Sequence, residues 1–173
     1  ANSLGIRLAH EIHPGTAAMC AEEFGRLVEI CDGDKCLGVN ADPSHCWEGE
    51  DWETRFTHPA VRDRVYACHV KNFVIRPGVP LRRMDGDWHN RAMQFTDLGS
   101  GDLNMVRYVE MLINIGYPTR YNKIMGTETA PLIAETESAY RDADATAIEG
   151  IQYVRDHLCF PVAEGSFEDD MGA

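Results

Sequence analysis

Groups that bind metals or move protons stand at the ends of several apolar segments of this 173-residue chain. They are Glu11, His13, Asp42, His45, His69, Lys71 and Glu128. Residues i and i+2 of a strand share one face, which pairs Glu11 with His13 and His69 with Lys71. In parallel α/β folds, active sites gather at the carboxyl ends of the strands. Two glutamates, one aspartate and one histidine would favour Mn²⁺, with Zn²⁺, Mg²⁺ and Co²⁺ as alternatives.

The elements that must position these groups alternate along the chain. The predicted strands are the apolar segments at residues 5–13, 36–41, 64–71 and 120–125. The predicted helices, with apolar residues three and four apart, span 20–31, 102–116 and 148–158. Asp102 is expected to cap the second of these helices, and Asp51 to cap a short helix that ends near Pro59. This order predicts an α/β fold with a parallel sheet.

A long segment with prolines and glycines, residues 72–101, interrupts this alternation. A loop of this length in a compact domain is usually functional or disordered. Trp88 and His89 lie in it and are candidate substrate-binding residues that cover the site, although an exposed aromatic side chain would fit the pattern nearly as well. His13 and His45 are candidates for substrate binding or for supporting the ligands.

Composition excludes several classes of function. The chain has 16 basic and 28 acidic residues and a net charge of −12, which opposes binding to nucleic acid or to an anionic membrane. No apolar run approaches the ~20 residues of a membrane-spanning helix, and no signal peptide is recognisable. The six cysteines form no Cys-x-x-Cys pair and are interpreted as buried free thiols. We therefore expect a cytoplasmic protein that acts on a small molecule.

Four motifs resemble the signature of one family, the xylose isomerase-like TIM barrels of the sugar phosphate isomerase/epimerase superfamily. They are GIRLAHEIHPG at 5–15, NADPSH at 40–45, HVK at 69–71 and LGSGDLN at 98–104. The resemblance implies that a divalent metal is held by a glutamate, an aspartate, a histidine and a second glutamate. By position, the first three are Glu11, Asp42 and His69, and Glu128 is the carboxylate nearest to the expected place of the fourth.

The resemblance covers only the C-terminal half of a (β/α)₈ barrel, about four βα units within residues 1–160. Residues 161–173 are expected to form an acidic, flexible tail. A complete barrel needs about 250 residues, and an open half-sheet leaves two unpaired edges. The chain is therefore expected to form a homodimer that closes a barrel, or to be one half of a longer protein.

The family resemblance implies a metal-dependent isomerase or epimerase that acts on a sugar or a sugar-like polyol through an enediolate. Glu11 and Glu128 would remove and return the proton, while Lys71 would neutralise developing negative charge. Two other interpretations stay open at this point. One is a dehydratase or lyase of the same family, and the other is an inactive half-barrel that serves as an interaction or structural protein.

Overall fold

The computed structural model describes residues 2–46, 50–79, 91–138 and 140–159. The strands within them are β1 (Leu8–Glu11), β2 (Leu37–Ala41), β3 (Val65–Val70), β4 (Asn72–Ile75), β5 (Met93–Thr96) and β6 (Ile133–Ala134). The α-helices are α1 (Ala21–Ile30), α2 (Trp52–Thr57), α3 (Met105–Asn114), α4 (Tyr117–Met125) and α5 (Ala143–Tyr153). A π-helical turn, Val154–Leu158, continues α5. Residues 160–173 lie outside the described part, and with them the whole of the expected tail at 161–173.

Four strands form a parallel sheet in the order β1-β2-β3-β6, and β4 and β5 form a separate antiparallel hairpin. The predicted α/β class with a parallel sheet is therefore confirmed. Glu11 is paired with Asn40, and Asn40 with Ala67. Paired residues point to the same side of a sheet, and His69 follows Ala67 by two positions. This register places Glu11, Asn40 and His69 on one face.

The opposite face of the sheet carries the apolar core. Val39 and Ala41 of β2 and Cys68 and Val70 of β3 are fully buried there, in one cluster with residues of α1 and α3. Tyr108 of α3 is also fully buried, and its hydroxyl donates a hydrogen bond of 2.8 Å to the backbone oxygen of Ala41. Burying an aliphatic or aromatic side chain contributes roughly 1.5–3 kcal/mol. The apolar face therefore holds the helices in place, while the polar face is left for chemistry.

The predicted strand over 120–125 is wrong, because these residues form the greater part of α4. Gly116 adopts a left-handed conformation before the helix, and Gly126 adopts one after it. Pro118 stands in the first turn, where its missing N–H costs no hydrogen bond. These signals favour a helix, and the fourth strand of the sheet is instead the two-residue β6.

Of the two helix caps predicted from the sequence, at Asp51 and Asp102, the structure has only the first. Asp51 does cap α2, because its Oδ1 accepts a hydrogen bond of 2.9 Å from the backbone N–H of Thr54. The cap predicted at Asp102 is wrong. Asn104 caps α3 by accepting from the N–H of Arg107, and Asp102 Oδ2 accepts instead from the N–H of Ile75 on the hairpin.

All six cysteines are free. Cys46 and Cys68 are buried, in agreement with the interpretation of buried thiols, whereas Cys31 and Cys159 are exposed. Within the described ranges, the chain forms no helix whose length and apolar character would allow it to span a bilayer.

One buried ion pair fixes the segment that follows β1. The Arg55 side chain is 1% exposed, and its Nε donates to Glu50 Oε2 at 2.8 Å. The other guanidinium nitrogens donate to the backbone oxygens of Ile12 and Met19, at 3.2 and 3.0 Å. Arg55 therefore connects α2 to the loop that begins directly after Glu11, and it stabilises the end of β1.

We expect Arg55→Met to lower the free energy of unfolding by about 3–5 kcal/mol, because it leaves the Glu50 carboxylate, which is 17% exposed, without its charged partner and removes the hydrogen-bond donor to two backbone oxygens. Arg62→Met is the matched control, since the Arg62 side chain is 53% exposed and its loss should change stability by less than about 1 kcal/mol. Urea unfolding followed by circular dichroism measures both variants. An Arg55→Met protein as stable as the control would contradict this role.

Candidate metal and catalytic site

Glu11, Asp42, His69 and Glu135 come together at the polar edge of the sheet. One ligand atom of each residue lies within 4.8 Å of the corresponding atoms of the other three. Asp42 is buried, while the other three are partly exposed. Three of the four were expected from the sequence to lie together, and the structure brings those three into one cluster.

The carboxyl ends of the four parallel strands position this cluster. Glu11 is the last residue of β1, and Asp42 directly follows β2. His69 lies near the end of β3, and Glu135 directly follows β6, where its N–H donates to the Val70 oxygen at 3.2 Å. Parallel strands deliver their ends to the same edge of a sheet. The four groups therefore converge although 124 positions separate Glu11 from Glu135 (135 − 11).

Asp42 is oriented by its own turn. Its Oδ1 accepts a hydrogen bond of 2.8 Å from the Ser44 N–H, which caps the short 3₁₀ helix Pro43–His45. The other oxygen, Oδ2, lies 3.3 Å from Nδ1 of His69. The Asp-Pro-Ser sequence thus uses one carboxylate oxygen for the turn and leaves the other for the cluster.

His69 lies among the three carboxylates. Its Nδ1 is 3.3 Å from Asp42 Oδ2, 2.6 Å from Glu135 Oε2 and 3.8 Å from Glu11 Oε1. Hydrogen bonds to Asp42 and Glu11 outweigh the effect of burial and raise the pKa of His69 to about 10. Hydrogen bonds from His45 and His69 hold the pKa of Glu11 well below its usual range. The carboxylates therefore create a negative field that favours a positive charge at this position, and a bound metal ion would replace the proton on His69.

The donor set fits a divalent metal. Three carboxylates and one imidazole suit a hard-to-borderline ion such as Mn²⁺, Zn²⁺, Mg²⁺ or Co²⁺. Glu135 Oε2 is shielded from solvent and accepts no hydrogen bond among the described residues, although Nδ1 of His69 lies 2.6 Å away. A buried carboxylate oxygen needs a hydrogen-bonding or positively charged partner, and His69 is the group next to it in this structure. A cation at this position would satisfy that oxygen.

Two further histidines line the cluster. Nε2 of His45 lies 3.2 Å from Glu11 Oε1 and 3.6 Å from Asp42 Oδ2. The His13 ring packs on His45 with 4.0 Å between centroids, and its Nδ1 lies 2.6 Å from the Pro14 oxygen. Both predicted substrate-binding histidines are therefore next to the cluster.

Lys71 is buried beneath the cluster, and its side chain is only 2% exposed. Nζ donates to Glu135 Oε1 at 2.9 Å and lies 3.2 Å from Glu137 Oε2. Burial lowers the pKa of Lys71, but the hydrogen bond to Glu135 and the nearby carboxylate charges outweigh burial, so its pKa is raised. Lys71 is therefore charged, and in this structure it holds Glu135.

The structure does not bring Glu128 into the cluster, and Glu135 occupies the place expected for it. Glu128 is exposed beyond α4, where its backbone oxygen accepts a hydrogen bond of 2.9 Å from Asn122 Nδ2. The error follows from the misplaced fourth strand. The signal that was missed is the apolar run Leu132-Ile133-Ala134 ending in a glutamate, which repeats the pattern of β1. The candidates Trp88 and His89 lie outside the described residues.

Comparison with known proteins agrees with this arrangement. The family model described as xylose isomerase-like TIM barrel matches residues 1–157. The chain belongs to the xylose isomerase-like TIM barrel family. Its sheet and helices form part of such a barrel, as the motifs implied.

Among solved structures, the chain is similar to a xylose isomerase domain protein from Planctomyces limnophilus, with a TM-score of 0.56 and 21% identity. The match covers 92% of this chain and 49% of that one, so this chain spans about half the length of its structural neighbour. At this identity, the likeness concerns the fold. No curated protein matches the chain significantly.

We expect Glu135→Gln to weaken binding of Mn²⁺ or Co²⁺ by at least about 10²-fold, because even outer supporting residues of metal sites contribute 10–100-fold to affinity. Glu128→Gln is the control, as it removes the same charge from an exposed loop. Isothermal titration calorimetry with each metal ion gives both affinities. Equal effects of the two substitutions would contradict the assignment of Glu135.

Proposed function

We propose that this protein is a divalent-metal-dependent isomerase or epimerase of a sugar or sugar-like polyol. The observation that carries the proposal is the convergence of Glu11, Asp42, His69 and Glu135 within 4.8 Å at one edge of a parallel sheet. Membership of the xylose isomerase-like family supports the same reaction class. The four residues would hold the metal. Bound there, it would polarise a substrate carbonyl and an adjacent hydroxyl, which makes the neighbouring C–H more acidic.

In this proposal, Glu11 and Glu135 move that proton. The strand order β1-β2-β3-β6 puts Glu11 and Glu135 at opposite ends of the row, with Asp42 and His69 between them. A carboxylate on each side of a substrate can remove a proton from one carbon and return it to the same carbon or to its neighbour. Return to the same carbon gives an epimer, and return to the neighbour gives an isomer.

The surrounding groups orient these two carboxylates. Lys71 donates to Oε1 of Glu135 and so holds that carboxylate, whose Oε2 lies 2.6 Å from Nδ1 of His69. His45 lies 3.2 Å from Glu11 Oε1 and steadies that carboxylate in the same way. In the same proposal, His13 and His45 contact substrate hydroxyl groups beside the cluster. In this scheme Lys71 acts through Glu135.

Solvent-proton exchange tests the proposed reaction. In D₂O with saturating Mn²⁺ and a panel of ketoses, aldoses and keto-inositols, we expect deuterium to enter next to the carbonyl of the substrate. Glu11→Gln and Glu135→Gln should each slow this exchange by about 10²-fold or more, while Glu128→Gln should leave it unchanged.

The outcomes of this experiment separate the alternatives. Loss of water from a substrate without isomerisation would contradict the isomerase assignment and support a dehydratase. Metal binding without exchange on any substrate of the panel would contradict catalysis and support a binding or structural role. An effect of Glu128→Gln as large as that of Glu135→Gln would move the base away from Glu135.

We also propose that a second copy of the chain covers the open edges of the sheet. Within the described residues, β1 pairs only with β2, and β6 only with β3. Leu8 on β1 is 50% exposed and Ile133 on β6 is 43% exposed. Unpaired parallel edges with exposed apolar side chains are templates for another strand. A two-fold arrangement would satisfy both edges at once.

Light scattering of the purified chain tests this assembly. We expect a mass of about twice 19.4 kDa at micromolar concentration. Leu8→Glu, on the β1 edge, should shift the protein toward monomer. Ile148→Glu on α5 is the control, because Ile148 is 68% exposed and lies on a helix rather than on a strand. A cooperatively folded wild-type monomer would contradict self-association.

A further inference from the structure

The β4–β5 hairpin stands beside the site and carries residues that the motifs do not include. β4 begins one residue after Lys71. Phe73 on β4 pairs directly with Phe95 on β5, and the two rings form a small apolar cluster with Met93. This cluster is separate from the main core of the sheet and helices. The side chains of the hairpin therefore pack mainly on one another. The contacts between the hairpin and the site are separate from this packing.

Phe95 contacts two charged or polar groups of the site. Its ring lies under the Lys71 ammonium, with 4.1 Å between Nζ and the ring centroid. The His45 ring meets the Phe95 ring edge to face, at 5.9 Å between centroids and 87° between planes. Phe95 is itself only 5% exposed. An aromatic face attracts a desolvated cation, and perpendicular ring contacts are directional.

Through these two contacts Phe95 reaches both carboxylates assigned to proton transfer. Lys71 donates to Glu135 Oε1 at 2.9 Å. His45 lies 3.2 Å from Glu11 Oε1. We propose that Phe95 is a positioning residue that fixes Lys71 and His45, and through them Glu135 and Glu11, in the geometry that the site requires. This inference rests on the proposed function for the roles of the two glutamates.

The hairpin is anchored by the turn that carries the fourth sequence motif. Asn72 donates through Nδ2 to the backbone oxygens of Leu98 and Leu103, and its Oδ1 accepts from the Leu103 N–H. A Cβ at Gly101 would overlap the Asn72 side chain, so the turn needs glycine there. The LGSGDLN motif thus holds the hairpin, and the hairpin presents Phe95 to the site.

Two substitutions in the same hairpin cluster test the proposal. Phe95→Leu removes the ring under Lys71 and keeps an apolar side chain, while Phe73→Leu makes the same change at its cross-strand partner. We expect Phe95→Leu to weaken Mn²⁺ binding by about 10-fold and Phe73→Leu to change it by less than about 2-fold. Equal losses in the two variants would show a merely structural role and would overturn the proposal.

A second measurement needs neither metal nor substrate. The chain contains three lysines, Lys35, Lys71 and Lys123, of which the first and the last are exposed. In a Lys35→Arg, Lys123→Arg background, the remaining lysine signal in a ¹⁵N-edited NMR spectrum belongs to Lys71. We expect its side-chain protons to be shifted upfield by the Phe95 ring, and the shift to be lost in Phe95→Leu but kept in Phe73→Leu.

The Mn²⁺ affinity and the Lys71 NMR signal test different parts of the argument. A wild-type protein that binds no Mn²⁺ contradicts the proposed function, yet the lysine signal still tests the position of Phe95. If Phe95→Leu does not fold, the signal of the wild-type background decides, because a Lys71 resonance at the ordinary lysine position overturns the proposal.

Discussion

Electrostatic compensation around His69 is the constraint on which the site depends. Glu11, Asp42 and Glu135 bring three carboxylates to within 4.8 Å of one another and of the His69 ring. Like charges at such distances repel strongly when they are partly removed from water. His69 and Lys71 lie next to these carboxylates and offset part of this charge, and the carboxylates in turn raise the pKa of both groups. A site built in this way is suited to a divalent cation.

Such a concentration of charge persists only on a rigid support. The support is a parallel sheet whose two faces differ in kind, since Val39, Ala41, Cys68 and Val70 pack against the helices while Glu11 and His69 share the other face. Burial of the apolar face against the helices contributes the free energy that offsets the repulsion between the carboxylates on the polar face. Anchors outside the sheet, such as the buried guanidinium of Arg55, limit movement where β1 ends.

The positive groups of the site have separate tasks. His69 lies among the carboxylates, whereas Lys71 lies below them and holds one oxygen of Glu135. His45 reaches Glu11 from the other side. The hairpin β4–β5 connects the last two through Phe95. Glu135 and Glu11 therefore each have one oxygen held by a basic side chain, Lys71 and His45 respectively.

The sequence by itself determined the class of the fold, the first three strands and three members of the cluster. Glu11, Asp42 and His69 stand at the ends of clear apolar segments, and such signals are local. Tertiary structure alone decided the fourth member of the cluster, Glu135. The strand before it, β6, has only two residues and is recognisable as a strand only through its pairing with β3. For the same reason residues 120–125, which have some apolar character, became a helix between two left-handed glycines. The contacts of Phe95 with Lys71 and His45 join three distant parts of the chain. No local pattern specifies them, because they arise only when the hairpin packs against the turn that follows β2.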